Sequence, residues 1–154
     1  MSIEWKGVMP AVFTWFKESK SSSLEIDFEA TQKQAAGILK AQGKGGSRMS
    51  GLVGSGTLGE NSYLNSNQRL SLLKSLSEVA KEYNVPLISG AAAETKEELA
   101  KIIEGLATVG VDTVMVMPPK TKAIPSDKEM FEYYALSEAT AKDLTDGLGV
   151  TELT

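Results

Sequence analysis

The 154-residue sequence contains no cysteine and no histidine. Without cysteine the chain can form no disulfide, no thiolate nucleophile and no zinc site built on sulfur. Without histidine it can form no Ser–His–Asp triad and no imidazole ligand for a metal. A lysine Schiff base fits the groups that remain, because it requires neither a metal nor an imidazole. We therefore expect no metal site and no cofactor.

Basic clusters and long hydrophobic runs are also missing. Sixteen lysine and arginine residues stand against 20 aspartate and glutamate residues, a net charge of −4, with no basic block to bind nucleic acid. No apolar run approaches the ~18 residues that span a bilayer, and the N-terminus lacks the apolar core of a secretory signal. The sequence predicts a cytoplasmic protein with neither nucleic acid nor membrane as a partner.

Hydrophobic residues make up 42% of the chain and charged residues 23%, which is typical of a globular domain. Four strand-like segments alternate with four amphipathic helical segments. The predicted strands lie at residues 8–13, 50–53, 86–89 and 113–117, and the predicted helices at 27–42, at 66–83, from Thr95 and from Ser126. This alternation predicts an α/β fold in which helical crossovers join parallel strands. Four βα units, written (βα)4, form a small open sheet or half of a TIM barrel, because a full (β/α)8 barrel takes about 250 residues.

A glycine-rich motif, GSGTLGE at residues 54–60, follows the second predicted strand. It matches the dinucleotide pattern G-x-G-x-x-G, but residues 60–65 favour a turn where that pattern needs a helix. No acidic residue ends the next strand to bind a ribose. A purely structural turn is the second interpretation. We expect a compact turn in which at least one of Gly54, Gly56 and Gly59 has a positive φ.

A third interpretation comes from motifs in a fixed order. They are GVMPAVFTWF at 7–16, LEID at 24–27, GTLGEN at 56–61, VPLISG at 85–90 and VGVDTVMVMPP at 109–119. Together they resemble the N-terminal half of the dihydrodipicolinate synthase and N-acetylneuraminate lyase family, over roughly residues 7–140. The resemblance implies an eight-stranded barrel and a Schiff base between a lysine and a pyruvate-like keto acid.

The resemblance also assigns roles to the loop. Thr57 matches a hydroxyl of the family's proton relay, and Gly56, Thr57, Leu58 and Gly59 match the region that holds the keto-acid carboxylate. Leu58 stands where the family often has threonine or serine, so a backbone amide would have to replace the missing hydroxyl as a hydrogen-bond donor. Glu60 is expected to stabilise the loop.

The catalytic lysine of the family lies on the sixth strand and a catalytic tyrosine on the fifth, and we find neither strand in this sequence. Lys120 and Lys122 follow the fourth predicted strand, but nothing in the sequence predicts a pocket that would desolvate them. The chain thus resembles half of a class I lyase, cut before the Schiff-base lysine. We expect a half-barrel domain over residues 1–140, an irregular tail over 141–154 and no activity from the chain alone.

Two other functions stay open on sequence grounds. One is a non-catalytic interaction module that associates through its open sheet, and the other is a small nucleotide-binding α/β protein. An unclosed sheet leaves unpaired N–H and C=O groups on its outer strands, and its inner face, with Val12, Val53, Ile88 and Val116, lacks half of its packing. Both features predict self-association.

Overall fold

The computed structural model describes residues 6–18, 24–41, 48–119, 125–144 and 149–150. Helices and strands alternate within these ranges, and the strands form one parallel sheet in the order β1-β2-β3-β4. The strands are β1 (Leu52–Gly54), β2 (Leu87–Ala91), β3 (Thr113–Val116) and β4 (Gly149–Val150), and the helices are α1 (Phe28–Lys40), α2 (Ser66–Glu82), α3 (Lys96–Ala107) and α4 (Asp127–Leu144). The predicted α/β class and its parallel strands are confirmed.

The first predicted strand is present as an extended stretch that lies beside β1. Here we call residues 8–17 the leading segment. It joins the sheet through two parallel bridges, Val8 to Met49 and Ala11 to Val53. The N–H of Val12 donates to the carbonyl oxygen of Val53 over 2.9 Å. The sheet therefore begins with the leading segment on the outer side of β1.

Side-chain caps define where the helices begin. Asp27 accepts the N–H of Ala30 at 2.9 Å, so α1 starts where the sequence predicts. Helix α2 starts at the predicted Ser66, but its cap is a reciprocal box that the pattern analysis missed: Asn65 and Gln68 each accept the other's backbone N–H. These fixed starts orient each helix against the strand before it.

The core lies between the sheet and helices α2 and α3. Leu52 of β1 and Leu87 of β2 are completely buried, and a side chain added at Gly54 would collide with Leu73 and Leu76 of α2. Val53 and Ile88 alternate with the buried leucines of β1 and β2, face the opposite side of the sheet and are only half-buried. This side is the inner face, and the prediction is right for these two residues. It is wrong for Val12 and Val116: Val116 is in register with Ala91, and Val12 follows the Ala11 that bridges Val53, so both lie on the core side of the sheet.

The predicted irregular tail from residue 141 is wrong where the structure describes it. Helix α4 continues to Leu144, since no glycine or proline interrupts the sequence there. Residues Gly149–Val150 form β4, which pairs in parallel with Thr113 and Val114 of β3. The edge of β3 offers backbone hydrogen bonds, and these fix even a two-residue strand without any apolar run. The remaining tail positions, 145–148 and 151–154, lie outside the described residues.

Candidate functional site

The glycine-rich loop follows β1 at the carboxyl end of the sheet, the end where barrel enzymes keep their chemistry. Two overlapping turns form it: the N–H of Gly59 donates to the carbonyl oxygen of Gly56 at 3.1 Å, and that of Glu60 to Thr57 at 3.3 Å. A short 3₁₀ turn (Asn61–Tyr63) follows before α2 begins. The compact turn is confirmed, and no helix starts on the glycines as a dinucleotide site would require.

The expectation of a left-handed glycine in this loop is wrong. Gly54, Gly56 and Gly59 all lie outside the positive-φ region. The left-handed residues are Ser55, with φ 52°, and Glu60, with φ 57°. Two non-glycine residues thus carry the strained conformations at the two ends of the loop.

Close backbone packing explains why these positions are glycine. A Cβ at Gly59 would lie 2.9 Å from the backbone nitrogen of Ser55, and one at Gly90 would lie 2.9 Å from its carbonyl oxygen. Ser55 is therefore enclosed by backbone on two sides. Gly59 and Gly90 thus allow close backbone contact with Ser55, whereas the positive φ angles of the loop belong to Ser55 and Glu60.

Thr14, from the leading segment, fixes the far end of the loop. Its hydroxyl donates to the carbonyl oxygen of Gly59 over 2.6 Å, in a buried position. Sequence reasoning missed this residue because the two partners are 45 positions apart. The parallel pairing of the leading segment with β1 brings them together.

Thr57 and Leu58 lie at the tip of the loop, and both side chains are exposed. Within the described residues, neither backbone N–H has a protein acceptor. Two adjacent free N–H groups are the arrangement that holds a carboxylate or an oxyanion. The loop tip can therefore bind a small anion through its backbone.

A cavity of about 220 Å³ lies beside the loop. Thr57 lines it together with Arg69 of α2, Glu94 and Met117. Burial lowers the pKa of the Arg69 guanidinium, which stays charged near neutral pH. The sequence analysis did not select Arg69 or Glu94. The position of Arg69 in the first turn of the helix that follows the loop is the feature that could have indicated it.

The remaining candidates do not join this site. The backbone carbonyl oxygen of Glu60 accepts the N–H of Tyr63 at 2.9 Å, and a role of its side chain in stabilising the loop stays a prediction. Lys120 and Lys122 lie outside the described residues. Across the described ranges, no three acidic side chains come close enough to hold a metal ion, and no helix is long and apolar enough to cross a membrane.

The family model of the dihydrodipicolinate synthetase family matches residues 4–144. The chain belongs to this family. The match covers all the predicted motifs, from the leading segment to the end of α4, and includes the loop at 54–60. It removes the dinucleotide interpretation as an account of the glycine pattern.

Relatives in the family are longer. The 4-hydroxy-tetrahydrodipicolinate synthase of Bifidobacterium longum (strain DJO10A) is 30% identical over 137 residues, which are 89% of this chain and 41% of that protein. Dihydrodipicolinate synthase DapA-2 of Bacillus anthracis has the same fold with a TM-score of 0.76 at 23% identity, and the match covers 97% of this chain and 45% of that one. The chain thus spans less than half the length of these relatives, and its fold is a partial TIM barrel.

A third relative was solved with a ligand. YagE, a prophage protein of Escherichia coli K12 in the dihydrodipicolinic acid synthase family, was solved in complex with pyruvate. It matches 95% of this chain and 43% of its own, with a TM-score of 0.76 at 21% identity. At that identity the match establishes the fold alone.

Proposed function

We propose that this chain forms the carboxylate-binding half of a Schiff-base lyase site for pyruvate-like keto acids. Residues Gly56–Gly59 would hold the keto-acid carboxylate, and the Thr57 hydroxyl would serve in proton transfer. The exposed position of Thr57 at the carboxyl end of β1 is compatible with both roles. Membership of the family and the pyruvate held by YagE support the substrate class.

The unused N–H groups of Thr57 and Leu58 carry this proposal. Leu58 has no hydroxyl, so the backbone must supply the hydrogen bonds that a side chain would otherwise donate. The hydrogen bond of Thr14 to Gly59 and the close packing of Gly59 on Ser55 hold this backbone in place before a ligand arrives. Such preorganisation is what makes backbone donors effective toward a developing or fixed negative charge.

We propose further that the chain by itself performs no aldol or dehydratase chemistry. By resemblance, the Schiff-base lysine and the tyrosine belong to strands that this sequence does not carry. The half-barrel domain, predicted over residues 1–140 and continued by α4 to Leu144, would act in the cytoplasm. The proposed function of the chain is therefore to bind the keto-acid carboxylate, without the residues that would carry out the chemistry.

Backbone amide NMR of the full chain tests the binding role. Pyruvate should shift the amide resonances of Thr57 and Leu58, because its carboxylate accepts their hydrogen bonds. Acetone has the ketone without the carboxylate and should leave them unchanged. Equal shifts with both compounds, or shifts spread over the chain, would contradict the proposal.

Borohydride reduction with pyruvate, followed by intact mass measurement, tests the missing chemistry. We expect no added mass on the full chain, because no lysine lines the cavity beside Thr57 among the described residues and the family's Schiff-base lysine lies on a strand not found in this sequence. A relative with the complete barrel serves as the positive control. A reduced pyruvate adduct on any lysine of this chain would refute the proposed inactivity.

A further inference from the structure

The open edge of the sheet is the side of the leading segment that faces away from β1. Backbone groups of a strand alternate in direction, and here the even-numbered residues face β1: Val8 and Pro10 accept hydrogen bonds from it and Val12 donates one. The odd-numbered residues therefore face outward. Their N–H and C=O groups are the ones that a further strand would pair with.

From Phe13 onward, the chain's own residues occupy that outward edge. The side chain of Gln34 on α1 accepts the N–H of Phe13 at 3.2 Å. The hydroxyl of Thr31, which is completely buried, accepts the N–H of Trp15 at 3.1 Å. The carbonyl oxygen of Trp15 in turn accepts the N–H of Asp27 at 2.8 Å. Three donors and acceptors of the edge are thus satisfied by α1 and its N-terminal cap.

The same pattern continues one residue pair further. The N–H of Lys17 donates to the carbonyl oxygen of Glu25 at 2.9 Å, and Phe16 bridges Ile26 in antiparallel sense. The side chains of Lys17 and Glu25 also form an ion pair. Residues 25–34 therefore follow the outward edge from position 17 back to position 13.

In the described part of the chain, Met9 and Ala11 keep both outward backbone groups without a partner, and Phe13 keeps its carbonyl oxygen. Two residues offer too few hydrogen bonds for a stable intermolecular ladder. We propose that Gln34 and Thr31 guard this edge, so that a second copy of the chain cannot extend pairing past Ala11. This inference does not depend on the proposed function.

A guard is needed here because the neighbouring surface is apolar. Phe13 and Trp15 are about half exposed, at 49% and 50%, and Phe28 is 40% exposed. Exposed aromatic side chains next to an open strand edge are the combination that promotes edge-to-edge association. A second copy is the occupant to expect, since its identical edge could pair antiparallel about a two-fold axis.

The test compares two leucine substitutions that lie side by side on α1. Gln34→Leu removes the acceptor from Phe13, and Lys33→Leu adds the same apolar side chain at an exposed position while leaving that acceptor in place. Gln34→Glu retains an oxygen at the position and serves as the rescue variant. Circular dichroism and thermal unfolding establish that each full-length variant is folded.

Sedimentation velocity over a concentration series gives the main readout. We expect Gln34→Leu to self-associate at a concentration at least about tenfold lower than the wild type, because the released Phe13 N–H of each copy adds one hydrogen bond to the two-fold pair. Lys33→Leu and Gln34→Glu should behave as the wild type. Hydrogen exchange should show the Phe13 amide of Gln34→Leu losing protection at low concentration and regaining it in the associated state.

Three results would overturn the proposal. Gln34→Leu could remain as dispersed as the wild type, or both leucine variants could associate equally, which would assign the effect to apolar surface alone. The wild type could also associate with its Phe13 amide released from Gln34 and paired with the second copy, so that pairing extends past Ala11. Each result would show that pairing at this edge does not depend on the guard.

Discussion

At the scale of single residues, the packing of the glycine-rich loop depends on whether each glycine position has room for a Cβ atom. Gly59 lies against the backbone of Ser55, so neither partner can move aside as a flexible side chain could. Gly56 is different, because the nearest atom to its Cβ position is the Cγ1 of Val53 at 4.0 Å. The two glycines look equivalent in the motif, and the structure separates them.

We predict that Gly59→Ala destabilises the chain by about 1–3 kcal/mol, as overpacking against fixed atoms does. Gly56→Ala should change the free energy of unfolding by less than about 1 kcal/mol, since its Cβ meets ordinary van der Waals distances. Urea unfolding of the two variants measures the difference. Equal losses at the two positions would show that backbone conformation, and not contact with Ser55, requires glycine.

Thr14 is a second residue whose role comes from a tertiary contact, and it belongs to no recognisable sequence motif. It is buried, and its hydroxyl closes the loop by binding the Gly59 carbonyl. No local pattern marks it, since a threonine in an apolar strand is ordinary. Its role depends on the pairing of two distant segments.

At the scale of elements, capping determines where helices begin. Before α4, the Glu129 carboxylate accepts the Ser126 hydroxyl at 2.7 Å and the Ser126 N–H at 2.8 Å. The sequence predicts this capping box, and the structure confirms it. These hydrogen bonds, that from the hydroxyl first, lower the pKa of the Glu129 carboxyl below its ordinary value of 4.5.

The direction of that pKa shift gives a pH prediction. In the unfolded chain Glu129 takes up its proton at a higher pH than in the folded chain. The stability that the ionised carboxylate contributes is therefore fully present above the ordinary pKa, and it is lost as the pH falls through the lower pKa of the folded chain. Glu129→Gln should therefore unfold with a flatter dependence on pH below about 4.5 than the wild type. Urea unfolding across that acidic range measures it. Glu97→Gln, in the first turn of α3, is the control; an unchanged slope for Glu129→Gln would contradict the prediction.

At the scale of the whole molecule, one tyrosine links the last helix to the sheet. The Tyr133 hydroxyl on α4 donates to the carbonyl oxygen of Ala93 at 3.1 Å and accepts the Ala93 N–H at 3.2 Å. Ala93 follows β2, so this pair connects α4 with the carboxyl end of the sheet. Burial raises the pKa of the Tyr133 phenol, while its hydrogen bond with Ala93 opposes the shift.

We predict that Tyr133→Phe lowers the free energy of unfolding by about 1–3 kcal/mol, because it removes two hydrogen bonds to the partly buried backbone of Ala93. Tyr134→Phe is the matched control, since the neighbouring phenol has no hydrogen bond within the described residues. Because the unfolded phenol ionises first, wild-type stability should also fall as pH rises through and above 10, and Tyr133→Phe should lose less there. Equal stability of the two variants would contradict the link.

Half of a barrel also has to manage an edge that the closed fold does not have. The sequence predicts unpaired groups on the outer strands, and the structure fills much of both edges from within the chain. β4 pairs with β3 on one side, and residues 25–34 cover the leading segment from Phe13 to Lys17 on the other. Self-association of the wild type remains a prediction.

The sequence by itself determined the α/β class, the parallel order, the helix caps at Asp27 and Ser126, and the position of the glycine loop. These features depend on periodicity and on neighbours within a few positions, which are readable along one chain. It also carried the family resemblance that the family model confirms.

Tertiary structure decided the rest, because those features need partners far apart in sequence. Three features arise only when distant segments meet. They are the hydrogen bond of Thr14 to Gly59, the hydrogen bonds that Gln34 and Thr31 accept from the leading segment, and the two-residue strand β4. The close approach of Gly59 to Ser55 and the positive φ of Ser55 and Glu60 are likewise properties of the folded loop. Local composition cannot report such contacts, since a glycine or a threonine has the same local preferences whether or not another segment packs against it.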